Sequence, residues 1–171
     1  MRNVEIKAKI NDIQLLLLRV KELFGTTETL IKQHDTFYNV TKGRLKLRRL
    51  LDVGDGELIF YDRPDVEGPK LSSYKKADIK SNEVSVLNDV LIEALGAKND
   101  VKKLRHLFLV GQTRVHIDEV ENLGNFLELE VCLKPEQTLE DGEVIANDIM
   151  NKLGIKKEDL IQGAYADLLN A

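Results

Sequence analysis

The sequence predicts an α+β fold in which about eight antiparallel strands carry the structure and three or four helices pack on their apolar faces. Three observations lead there. Most patterned segments alternate apolar and ionisable residues with the period of two of a half-buried strand, while a few others carry capped apolar stripes at helical spacing. The alternating strands also hold full charges where a solvated face ordinarily mixes Thr, Ser, Gln, Lys and Glu. That choice favours closure into an eight-stranded β-barrel, with the charged faces turned to one lumen and helices outside. An open sheet with one face in water gives the same alternation and is the competing architecture.

The chain has 171 residues, of which 25 are Lys or Arg and 29 Asp or Glu, with a formal net charge of −4 and 43% apolar residues. This points to a single domain over residues 1–171 and excludes both disorder and a membrane-spanning helix. A nucleic-acid duplex calls for a basic surplus on an outer face, so an acidic chain is a poor partner for one. Met1 to Glu5 offers charges in place of the apolar core of a secretory signal. The single Cys132 has no disulfide partner, so a cytoplasmic, reducing location is expected, with the thiol buried as a small hydrophobe. No internal repeat is present, and Pro64, Pro69 and Pro135 fall between patterned segments.

Residues 4–10 open the fold as a strand, with Val4, Ile6, Ala8 and Ile10 on one side and Glu5, Lys7 and Lys9 on the other. Ile13, Leu16, Leu17, Val20, Leu23 and Phe24 then recur at helical spacing, capped by Asn11 or Asp12 and closed by Gly25. Residues 29–40 and 44–51 pair across Thr41-Lys42-Gly43, 57–63 follows the turn Gly54-Asp55-Gly56, and 71–79 is a weaker strand. Ser81 caps a second helix whose stripe is Val84, Leu87, Leu91 and Leu95. Strands over 101–110, 113–121 and 126–134 follow, then helical patterns over 139–153 and 157–169. Tyr165, with Leu168 and Leu169, reads as a packing contact of the last helix.

Gathering charged faces into a lumen is costly unless the charges are paired, hydrated or bound to a ligand. Placing Lys7, Lys9, Lys46, Arg48, Arg63, Lys70, Arg105 and Arg114 inside with Glu5, Asp35, Asp118, Glu128 and Glu130 gives a surplus of three positive charges and leaves −7 elsewhere. A polyphosphate suits such a lumen: Arg offers planar forks, Lys offers point charges, and carboxylates hold the divalent cation that such ligands carry. Glu128 and Glu130 stand about 6.5 to 7 Å apart on one strand face, near enough to share a metal site with Asp118 or Glu5.

Other site types are poorly supported. There is no Walker loop and no Gly-x-Gly-x-x-Gly after a strand. His34, His106 and His116 are too dispersed for a zinc motif, and His116 is expected to be a hydrogen-bonded filler of the charged face.

Several segments, taken in order, resemble the CYTH proteins, or triphosphate tunnel metalloenzymes. They are Val4-Glu5-Ile6-Lys7-Ala8-Lys9, Asp35-Thr36-Phe37-Tyr38, Gly43-Arg44-Leu45-Lys46-Leu47-Arg48, the run from Gly111 to Asp118, Leu123 to Val131, and Ala164-Tyr165-Ala166-Asp167-Leu168-Leu169. The family includes class IV adenylyl cyclases and thiamine triphosphatases. The resemblance implies an eight-stranded antiparallel triphosphate tunnel with Mg²⁺ or Mn²⁺. It also implies Glu5, Glu128 and Glu130 as metal ligands supported by Asp118, and Lys9, Lys46, Arg48 and Arg105 as phosphate ligands. Two departures stand out. Lys7 replaces the second Glu of the family's Glu-x-Glu-x-Lys opening. Asp62 stands near the fourth-strand Lys, with Arg63 expected to substitute through a one-residue bulge.

The functional expectation is a metal-dependent phosphohydrolase acting on a triphosphate-containing small molecule, with Glu128, Glu130 or Glu5 positioning the water. Lys7, Lys9, Lys46, Arg48, Arg63, Arg105 and Arg114 would bind phosphate. A class IV adenylyl cyclase and a non-catalytic polyphosphate binder are the alternatives, and a homodimer is left open.

Overall fold

The computed structural model describes residues 1–169. Strands run over Arg2–Ile10 (β1), Thr29–Tyr38 (β2), Arg44–Leu50 (β3), Gly56–Asp62 (β4), Lys70–Ile79 (β5), Ala97–Val110 (β6), Thr113–Val120 (β7) and Gly124–Cys132 (β8). Helices occupy Ile13–Phe24 (α1), Ser81–Leu95 (α2), Leu139–Lys152 (α3) and Tyr165–Leu169 (α4), with a 3₁₀ turn at Lys157–Asp159. The strands form a closed barrel in the order β1-β5-β4-β3-β2-β6-β7-β8, antiparallel at every junction. Closure, and not an open sheet, is therefore the architecture.

The main apolar core lies between the barrel wall and the helices. Val4 and Ile6 of β1, Val115 and Ile117 of β7, and Leu127 and Leu129 of β8 point outward, all at most 2% exposed. They pack beneath Leu16, Leu17 and Val20 of α1 and Ala146, Ile149 and Met150 of α3. Burying each such side chain is worth about 1.5 to 3 kcal/mol. On the far side, Val84 of α2 covers Leu47 and Tyr38. Helix α3 lies so close to the wall that a Cβ on Gly142 would meet Val4 Cγ2 at 2.3 Å.

The boundaries follow local chemistry. Asp12 caps α1 by accepting from the Leu15 N–H, and Gly25 closes it at φ 57°. Ser81 is the first residue of α2 and not its cap; its N–H is satisfied by the Asp55 side chain across the chain. Strand β6 starts four residues before the predicted Val101, because residues from Ala97 onward pair with the end of β2. Cys132 is half-buried and not fully buried: at the end of β8 it keeps the phase of the inward Glu128 and Glu130, away from the helix-covered side of Leu127, Leu129 and Val131.

The largest departure is at the C-terminal end, where the predicted helix over 157–169 is replaced by a 3₁₀ turn, an extended stretch and the short α4. Gly163 adopts φ 83°, which ends helical continuity, and tertiary contacts take over. Strand β1 pairs with β5 only through Arg2 to Glu5, leaving its next residues with an open edge on that side. The extended stretch takes that edge: Ile161 N–H donates to Lys7 O, and Leu160 bridges Ala8.

Candidate functional site

Strand alternation turns one set of side chains inward around a cavity of about 320 Å³. Eight cationic and five acidic side chains face it, so the surplus of three positive charges matches expectation with altered membership. Lys7, Lys46, Arg48, Arg63, Arg105 and Arg114 are present, as are Glu5, Asp35, Glu128 and Glu130. Lys76, Lys103 and Glu57 stand in place of Lys9, Lys70 and Asp118. Lys9 keeps the inward phase of Glu5 and Lys7 but lies past the point where the C-terminal stretch crosses β1, and is exposed. Lys70 is buried with its Nζ donating to Val66 O at 2.8 Å. Lys103 was legible: it shares the phase of Arg105 two residues on.

The acidic groups divide by what already satisfies them. Asp35 accepts from Arg48 Nε and Nη2, both at 2.9 Å, with Lys46 and Lys103 each at 3.5 Å. Asp118, fully buried, accepts from Arg105 Nε and Nη2 at 2.8 Å and from the Tyr165 hydroxyl at 2.9 Å. Burial alone would raise both carboxyls; the Arg48 and Arg105 charges outweigh it and hold them well below the usual carboxylate range. Glu5 accepts from Arg63, and Glu57 from Lys76 at 2.7 Å. These four are braces of the wall. Asp118 in particular has both oxygens engaged by Arg105 and one also by Tyr165.

Glu128 and Glu130 differ, because among the described residues neither accepts a protein hydrogen bond. Lys7 Nζ lies 4.0 Å and Arg105 Nη2 3.8 Å from Glu128, and Arg114 Nε 3.8 Å from Glu130. Burial, then the Glu128 and Glu5 charges, push the Glu130 carboxyl up to about 7. Lys46, Lys103 and Arg114 are the matching cations, without a protein hydrogen bond among the described residues. Burial, reinforced by Arg48, lowers Lys46 to about 8. A lumen with unsatisfied groups of both signs suits a ligand that is itself anionic and metal-bearing.

His116 departs from expectation. It is 0% exposed and neither ring nitrogen has a hydrogen-bond partner, so it is not a hydrogen-bonded filler. With Glu128 and Glu130 it offers three donor atoms within 4.8 Å of one another. This donor set, from adjacent strands β7 and β8 with orphaned nitrogens beside two carboxylates, fits a divalent cation. Tyr165 also exceeds packing: besides bonding Asp118, its ring lies 4.0 Å from Lys7 Nζ and 5.1 Å from Lys103 Nζ. Only the folding-back of the C-terminal stretch makes these contacts.

A sequence model of the CYTH domain matches residues 1–165. The chain belongs to the CYTH family. A curated relative from Methanocaldococcus jannaschii, named "putative adenylate cyclase", is 26% identical over 98% of each chain. Among solved structures, the PH1012 protein of Pyrococcus horikoshii superposes at a TM-score of 0.82, with 19% identity over 97% of this chain and 98% of the other. A Hippeastrum protein, described as a "putative adenylyl cyclase" with a dominant triphosphatase activity, gives 0.65 at 15% identity over 98% of this chain and 93% of the other.

Both departures of this CYTH chain have structural counterparts. Lys7 is 3% exposed, donates to Gly163 O at 3.2 Å and places a cation at the acidic corner. Burial, against the pull of Glu128, lowers it to about 8. Arg63 reaches the lumen by plain alternation from Tyr61, past exposed Asp62, and needs no bulge. Its fork joins Glu5 to Gly163 O, so it ties the C-terminal stretch to β1. No helix among the described residues is long and apolar enough to cross a membrane.

Proposed function

We propose that this CYTH protein binds a triphosphate-containing small molecule in its tunnel and hydrolyses a phosphoanhydride bond with Mg²⁺ or Mn²⁺, in the reducing cytoplasm that a single Cys132 suits. The observation that carries the reading is the set of lumen groups left without protein hydrogen bonds: Lys46, Lys103 and Arg114 against Glu128 and Glu130. The three cations bind phosphate oxygens, and Arg48 and Arg105 each keep an Nη1 group outside their carboxylate forks for the same use. Asp35 holds Lys46, Lys103 and Arg48 in place before the reaction and Asp118 holds Arg105, so these four need no reorganisation as charge moves to the leaving phosphate. Glu130 orients the attacking water from the lumen wall. A divalent cation held by Glu128 and Glu130, when bound, neutralises phosphate oxygens further.

The name of the Methanocaldococcus relative favours a second reading, in which the ribose 3′-hydroxyl of ATP attacks its α-phosphorus and pyrophosphate leaves. The dominant activity in the Hippeastrum description supports ranking hydrolysis first. Incubation with tripolyphosphate, thiamine triphosphate and ATP, plus Mg²⁺ or Mn²⁺, separates them: orthophosphate is expected, whereas cyclic AMP with pyrophosphate reverses the order. Tight metal-independent binding, with no product beyond a Glu128→Ala, Glu130→Ala control, would show a binder and overturn both.

A further inference from the structure

We propose that His116 is a nitrogen ligand of the tunnel's divalent cation, completing a mixed His116, Glu128, Glu130 set that favours Mn²⁺, Co²⁺ or Zn²⁺ over Mg²⁺. The inference rests on the proposed metal dependence and adds to it the third ligand and the class of metal preferred.

A fully buried imidazole ordinarily has both nitrogens satisfied, because an orphaned N–H or lone pair away from water loses the hydrogen bond it had in the unfolded chain. His116 is 0% exposed with neither nitrogen partnered. Its strand neighbours do not supply the missing bond. Directly opposite on β8 is Glu128, and Nδ1 lies 4.0 Å from Glu130 Oε1. That distance is too long for a hydrogen bond. It suits two ligands of one ion: donors about 2.1 Å from a shared centre, at angles between 90° and 180°, stand about 3.0 to 4.2 Å apart. The whole donor group spans no more than 4.8 Å, so a few tenths of an ångström of side-chain movement complete the set.

The surrounding charges fit the same reading. Arg105 and Arg114 line the same lumen as the ring, and Asp118 on its own strand is committed to Arg105, so Glu128 and Glu130 are the carboxylates left to share an ion with it. A neutral imidazole is the form that ligates. Lys7 stands at this corner where a further carboxylate would add oxygen ligands, which leaves nitrogen as the third donor. Imidazole nitrogen suits the first-row transition ions, whereas Mg²⁺ prefers an all-oxygen shell with retained waters.

The test is pulsed electron paramagnetic resonance on the full chain loaded with Mn²⁺, in natural-abundance form and with ¹⁵N-labelled histidine. Nitrogen modulation that changes isotope pattern on labelling is expected, and it disappears in His116→Gln. In the same variant the Mn²⁺ dissociation constant rises about tenfold or more, while the Mg²⁺ constant, measured by competition, moves less than about threefold. Should His116→Gln fail to fold, the isotope experiment on the wild-type chain decides alone. Mn²⁺ that is lost in Glu130→Gln but shows no histidine nitrogen overturns the inference and leaves the metal-dependent reading standing. A His116→Gln variant that weakens metal-free tripolyphosphate binding, without nitrogen coupling to Mn²⁺, also overturns it and makes His116 a phosphate donor. No Mn²⁺ binding at millimolar concentration overturns the inference and the metal dependence together.

Discussion

Asp118→Asn separates a brace from a metal ligand. Asp118 is fully buried and takes two hydrogen bonds from Arg105 at 2.8 Å and one from Tyr165 at 2.9 Å. An amide keeps the shape but turns an N–H₂ toward the guanidinium or the hydroxyl and removes the counter-charge of a cation 3% exposed. Breaking a buried pair from one side costs about 3 to 5 kcal/mol. Glu128 remains 3.8 Å from Arg105, so the lower end, about 3 kcal/mol, is expected. For a chain of this size that is a fall in Tm of about 6 to 12 °C. The sign of the pH dependence follows. The folded carboxyl titrates well below its unfolded value of about 3.9, so its contribution is full above that value and is lost as pH falls through the folded pKa. The gap between wild type and variant therefore narrows in acid. Thermal and urea unfolding at pH 7 and pH 3 measure it, and the folded variant should keep its Mn²⁺ affinity within about threefold. Unchanged stability, or a loss of Mn²⁺ affinity as large as that of Glu130→Gln, would refute the assignment of Asp118 as a brace.

Three other outcomes are expected. Leu47→Ala, at 0% exposure beneath α2, should cost about 2 to 5 kcal/mol of stability with tripolyphosphate affinity retained, whereas Arg48→Ala should lower both, since it also strips Asp35 of its fork; calorimetry with urea melts compares them. Mn²⁺ affinity should fall from about pH 8 to about pH 6 as Glu130, pushed up to about 7, takes a proton in competition with the ion, and tripolyphosphate affinity should fall above about pH 8 as Lys7 and Lys46 lose theirs; titration calorimetry across pH reads both. Gly142→Ala should destabilise by about 1 to 3 kcal/mol because the new methyl would meet Val4 at 2.3 Å, and an unshifted melt would show that α3 can ride outward freely.

The eight strands and their phase were legible from local pattern alone. A period of two is a local property: each of Glu5, Lys46, Arg48, Arg105, Glu128 and Glu130 has its side fixed by its immediate neighbours. The inward surplus of three positive charges kept its sum only because Lys76, Lys103 and Glu57 line the cavity in place of Lys9, Lys70 and Asp118. The α1 stripe is local too, because helical spacing and an Asp12 cap need only adjacent residues. Closure and pairing are not local. Which acid is used up depends on which cation stands opposite on another strand, and that is how Asp118 became Arg105's partner while Glu130 stayed open. Lys9 falls outside because a strand's phase says nothing about where along the barrel the lumen ends, whereas Lys103 lies inside by the phase it shares with Arg105. The final stretch went furthest from local expectation. Residues 157–169 carry a helical pattern, yet the open edge of β1 and the Lys7 and Arg63 donors aimed at Gly163 O outweigh it. Hydrogen-bonding groups left unsatisfied by the rest of the chain, visible only once the barrel has closed, decided how those residues fold.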